Sequence, residues 1–135
     1  MPDPKITIAP EILRRLQEEE ILWFTTVSPK GEPTPNPVWF LWDGECIVVY
    51  SEPTSYRVRN IRQNPRVALT LQGVDGLGNN VVIISGDAEL RPENHTIPPT
   101  YWKKYERLLQ SMSPGEMTAS YNVEIRVRPL RIRTE

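Results

Sequence analysis

The segment from Tyr50 to Leu71, YSEPTSYRVRNIRQNPRVALTL, constrains the fold more than any other part of the chain. It is preceded by Ile47, Val48 and Val49, which with Tyr50 make the β-branched and aromatic run that strands favour. Ser51, Glu52, Pro53 and Thr54 break that run. Thr54 or Ser55 can then cap a helix over 56–63, and Pro65 ends it by disfavouring helical geometry at Asn64. Arg66 to Leu71 resumes a strand. The chain must therefore fit a strand, a short helix and a second strand into little more than twenty residues.

The start of that helix suits an anion. Its first amides lack intrahelical partners and carry the positive end of the helix dipole. Ser51, Thr54 and Ser55 supply hydroxyls, and Arg57 supplies a planar fork that matches phosphate geometry. Between Ser51 and Leu71 four arginines face one glutamate, a local charge of +3 in a chain whose net charge is -1. A solvated basic helix is the competing reading of the same residues.

Elsewhere the pattern is of short elements. Pro10 opens a helix to about Glu20, with Ile12, Leu13 and Leu16 on one face. ILWFTTV, from Ile21 to Val27, reads as a strand, and Ser28-Pro29-Lys30-Gly31 as a type I turn. PTPNPVWFLW, Pro33 to Trp42, reads as the next strand, and Asp43-Gly44 as a hairpin turn leading to Glu45–Ser51. These three strands are expected to form an antiparallel meander. Strands are also expected over Arg66–Gln72, Val81–Leu90 and Tyr121–Arg133, the last alternating apolar and charged residues. Between the last two lie a helical pattern over Tyr101–Gln110 and a capping box at Ser113-Pro114-Gly115-Glu116. The expected fold class is α+β: six strands, mostly antiparallel, closing a small barrel with flanking helices, as one domain over residues 1–135.

Prolines at 33, 35 and 37 cannot donate to a ladder, so that strand is expected at an edge or bulge, its backbone free to face a ligand. Pro37, Val38, Trp39 and Phe40 would offer a flat apolar surface to a heteroaromatic ring, with ordinary packing as the alternative role of Trp39 and Phe40. His95, the one histidine, has no nucleophile beside it by motif. One histidine and one cysteine, Cys46, argue against a His/Cys metal site and against a disulfide framework, and a cytoplasmic location follows as the default. No apolar run reaches membrane-spanning length, and sixteen basic against seventeen acidic residues give no field for nucleic acid. Gly76-Leu77-Gly78 lacks the context of a dinucleotide fingerprint, and there is neither a P-loop nor a nucleophile elbow. A chain with an anion corner, an apolar slot and no acid–base constellation borrows its chemistry from a cofactor.

The order of LWFTTVSPKGEP, NPVWFLWDGE, a strand ending at Ser51, and SYRVRNIRQNPRVAL resembles the split β-barrel proteins of the pyridoxamine 5′-phosphate oxidase-like superfamily. The likeness is to its small flavin- and deazaflavin-dependent (coenzyme F420) reductases, and it runs closely from Ala9 to Leu90 and more loosely over the final strand. It implies a homodimer with cofactor clefts at the subunit interface. It places Pro37, Val38, Trp39 and Phe40 at the cofactor ring, Ser51, Ser55, Tyr56 and Arg57 at its phosphate, and Asn60 behind them. The partner subunit would contribute from the loop near Gly78 to Val81.

Two departures narrow the activity. The superfamily's pyridoxamine phosphate oxidases carry basic residues on the strand leading to the ring, and PTPNPVWFLW has none. Their arginine-rich substrate segment is also not matched, although Arg126, Arg128, Arg131 and Arg133 lie on the last strand. The expected function is thus an oxidoreductase using F420, or else FMN, for hydride transfer to a small organic substrate, with no catalytic side chain named. The alternatives are a flavin or haem carrier without turnover, and a barrel binding single-stranded nucleic acid, which the near-neutral charge disfavours.

Overall fold

The computed structural model describes residues 6–73, 76–91, 96–109 and 113–135. The helix α1 (Pro10–Glu18) precedes strands β1 (Leu22–Val27), β2 (Pro33–Val38), β3 (Leu41–Trp42) and β4 (Ile47–Ser51). Then come α2 (Tyr56–Gln63), β5 (Arg66–Leu71), β6 (Val82–Arg91), α3 (Pro99–Tyr105) with a 3-10 turn at Glu106–Leu108, α4 (Pro114–Ser120) and β7 (Val123–Thr134). The expected α+β class holds, with every strand pair antiparallel. His95, Gln110 and part of the loop after Gln72 lie outside the described residues.

The strands form one curled sheet in the order β2-β1-β5-β6-β7-β4-β3. Two expectations are corrected here. Among the described residues the sheet has seven strands rather than six, and Leu22 to Ser51 is not a meander but two hairpins at opposite ends of the sheet. The reason lies in the prolines. Backbone donors point to alternate sides along a strand, so Pro33, Pro35 and Pro37 remove the outward row of β2 and leave it able to pair only with β1. The β1–β2 ladder ends at the pair Leu22–Val38. The chain crosses at Trp39 and Phe40 to the far edge, where Leu41 and Trp42 pair with Val48 and Ile47. Two sheet edges joined by two residues must approach each other, which curls the sheet into a half-barrel.

The turns follow their residues. The Gly31 N–H donates to Ser28 O at 2.8 Å, with Gly31 at φ +83°. Asp43 Oδ1 accepts from the amides of Glu45 and Cys46, and Gly44 takes φ +98° between them. Ser55 caps α2 by accepting from Val58 N at 3.3 Å, and Asn64 leaves the helix in extended conformation ahead of Pro65.

All five residues of β4 are buried because both faces of the strand are covered. Ile47 and Val49 face the main core with Leu16, Phe24, Phe40 and Ile125, while Val48 and Tyr50 pack with Tyr101, Tyr105 and Met117. The excursion carrying α3 and α4 thus caps the outer face of β4. Among the described residues no helix is long and apolar enough to cross a membrane.

Candidate functional site

A cleft of about 360 Å³ opens where β2, β4, α2 and the excursion meet. Pro37, Val38 and Trp39 form one wall, Tyr50 comes from β4, and Arg57 from the first turn of α2. Tyr101, Leu108 and Leu109, with Met117 and Tyr121, close the opposite side. Among the described residues the lining is apolar and phenolic with a single charged group.

That group is Arg57. Its Nη1 donates to Ser51 Oγ at 3.3 Å, and Ser51 itself is buried at the end of β4. Its Nε is buried and has no hydrogen-bond partner among the described residues. Burial lowers the pKa of the guanidinium, which Tyr121 partly opposes. An arginine stays protonated in proteins, so the charge persists, partly desolvated and half satisfied. Such a group is costly unless an anion completes it. The donor set suits a phosphate or carboxylate, and the apolar wall opposite suits a planar ring.

Asn60 sets where Arg57 sits. It is buried, and its Nδ2 donates to Thr26 Oγ1 at 2.9 Å and Thr34 Oγ1 at 3.0 Å. The two threonine hydroxyls lie 2.9 Å apart, on β1 and β2. One side chain thereby ties α2 to the β1–β2 hairpin, and so ties Arg57 to the wall at Pro37. Behind that wall, Trp39 stacks on Tyr105 with ring centroids 4.4 Å apart and planes within 4°.

Of the nine residues expected at a cofactor, Pro37, Val38, Trp39 and Arg57 line this cleft. Ser51 joins them through Arg57, and Asn60 braces them from behind. Three are placed elsewhere. Phe40 is fully buried in the main core rather than facing the cleft, because its side chain alternates with that of Trp39. Ser55 spends its hydroxyl on the helix cap. Tyr56 is 70% exposed, with the Arg59 guanidinium 4.8 Å from its ring centre.

The side of the cleft built by Tyr101, Leu108, Leu109, Met117 and Tyr121 was missed by sequence reasoning, as was Tyr50. A signal was available. Val48 and Tyr50 fall on the face of β4 opposite Ile47 and Val49, and a strand apolar on both faces needs a second cover.

The family sequence model described as pyridoxamine 5′-phosphate oxidase matches residues 8–135. No curated protein matches the chain. Among solved structures it is similar to an F420 reductase, with 26% identity over 96% of this chain and 100% of that one and a TM-score of 0.72. A conserved hypothetical protein from Mycobacterium tuberculosis gives 23% identity, coverage of 98% and 87%, and a TM-score of 0.78. The haem storage protein HutZ from Vibrio cholerae gives 15% identity, coverage of 96% and 95%, and a TM-score of 0.66, a likeness of fold alone. With its curled antiparallel sheet and with the family match running from residue 8 to residue 135, the chain belongs to the pyridoxamine 5′-phosphate oxidase family.

Proposed function

We propose that this protein is an oxidoreductase that holds F420 or FMN in the cleft and passes hydride to a small organic substrate. One observation carries the reading: Arg57, half-buried, is the one charged side chain among the described residues lining the cleft, and its Nε is buried without a partner among them. In this reading Arg57 and Ser51 take the phosphate, and Pro37 to Trp39 lie against the ring. Bound, either cofactor supplies a tricyclic ring that accepts or releases hydride, chemistry that no side chain of the cleft offers. The side chains bind, orient and exclude water. F420 is preferred over FMN, supported by the likeness to an F420 reductase across 96% of this chain.

The same reading includes a homodimer in the cytoplasm, with the partner subunit reaching the cleft from the loop near Gly78 to Val81. Ile21 and Trp23, exposed at 44% and 40%, support a second copy covering this side of β1. The absence of the basic ring-facing strand residues argues against pyridoxamine 5′-phosphate as the substrate.

A second reading is a carrier of flavin or haem without turnover. It is favoured by the lining itself, which among the described residues holds no carboxylate, imidazole or amine to move a proton. Turnover assays on the cofactor-loaded protein separate the two: stoichiometric binding with no reduction of any acceptor would leave only the carrier.

A further inference from the structure

The peptide of Phe40 lies where β2 has ended and β3 has not begun, so neither of its polar groups has a strand partner. The excursion supplies them. Phe40 N donates to the Tyr105 hydroxyl at 2.8 Å. That hydroxyl has two acceptors within reach, Phe40 O at 2.9 Å and Glu20 O at 2.8 Å, but only one proton to give. Lys104 resolves the shortage: its Nζ donates to Phe40 O at 2.9 Å, which frees the phenol proton for Glu20 O. The ammonium also lies 3.8 Å from the centre of the Phe40 ring. Every group is satisfied only while both residues are present. The ring of Tyr105, meanwhile, is the one stacked on Trp39.

We propose that Tyr105 and Lys104 act together as positioning residues, locking the crossing at Trp39–Phe40 so that Trp39 stands as a fixed wall of the cleft. Neither needs to touch a ligand. The consequence for binding rests on the cofactor reading above; the positioning itself does not. A mobile Trp39 would have to be ordered at the moment of binding, and affinity would fall by that cost.

The test uses the full chain and three variants, Tyr105→Phe, Lys104→Met and, as control, Arg57→Met. The first readout is the indole N–H resonance of Trp39, assigned by its loss in Trp39→Phe. The resonance is expected to move or broaden in Tyr105→Phe and Lys104→Met and to stay in place in Arg57→Met. The second is titration with F420 and FMN, where each of the two positioning variants is expected to bind roughly tenfold more weakly, the scale of one lost hydrogen bond. The absorption band of the bound cofactor should shift with them. An unmoved Trp39 resonance in both variants would overturn the proposal, as would unchanged affinity and spectrum. If the parent binds neither cofactor, the functional reading falls, while the Trp39 resonance still decides the positioning. Should Tyr105→Phe not fold, Lys104→Met, which keeps the stacked ring, carries the test.

Discussion

Arg57 Nη1 donates to Ser51 Oγ at 3.3 Å, while the Nε of the same guanidinium is buried with no partner among the described residues. The two residues lie at the ends of consecutive elements, β4 and α2, so the turn between them places a cation whose satisfaction is incomplete. Sites that must bind an anion are left in this condition, and stability is given up for it.

Arg57→Met should therefore divide function from stability. Phosphate-bearing cofactors should bind one to two decades more weakly, since a charge-assisted contact contributes about 1.5–3 kcal/mol. The melting temperature of the unliganded protein should not fall, because a partly desolvated charge has been replaced by an apolar chain. Calorimetry and ligand titration on the same sample check both halves, and a clear loss of thermal stability would contradict the account.

Asn60→Ala should destabilise the protein by about 1–3 kcal/mol, as it strips a donor from two hydroxyls and unties α2 from the hairpin. Denaturant midpoints measure this. The reading predicts a loss of cofactor affinity as well, because Arg57 rides on the same helix.

Lys104 predicts a pH dependence. Burial pushes its ammonium down to about 8 from 10.5, against the opposing pull of Glu20 and Glu19. Between those values the unfolded chain holds a proton that the folded chain has released, so stability rises with pH across that window and is lost as pH falls through about 8. Other groups titrate in the same range, so the observable is the difference between parent and Lys104→Met. The parent should gain on the variant from pH 8 to 10.5. Parallel curves would show that the amine is not desolvated.

Gly86 sits at the register shift between β6 and β7, where an added Cβ would lie 2.6 Å from Arg128 O and 2.7 Å from Val127 Cγ1. Gly86→Ala should cost about 1–3 kcal/mol through overpacking of this longest strand pair. A melting temperature equal to the parent's would contradict the close approach.

Much of this fold was legible in the chain. Pro33, Pro35 and Pro37 announced an edge or bulged strand, Thr54 or Ser55 and Pro65 bounded α2, with Ser55 the cap in the structure, and Asp43-Gly44 made its hairpin. The crossing at Trp39 and Phe40 was not legible, because PTPNPVWFLW is one uninterrupted strand pattern and only the far pairing of Leu41 and Trp42 divides it. Of the cleft's lining, Arg57 and the wall from Pro37 to Trp39 could be read from local chemistry. Phe40 could not be separated from Trp39 without knowing which face turned inward. Tyr101, Tyr105 and Lys104 were hidden for a different reason: their partners Tyr50, Trp39 and Phe40 are more than fifty residues away, and helical spacing alone cannot name them.

The central claim is that the cleft holds a phosphate-bearing tricyclic cofactor. Equilibrium titration of the cofactor-stripped protein with F420 and with FMN, followed by tryptophan quenching, tests it most directly. The account predicts saturable binding of one or both, tighter for F420, and weakened in Arg57→Met. Binding of neither, or binding that Arg57→Met leaves untouched, would contradict it.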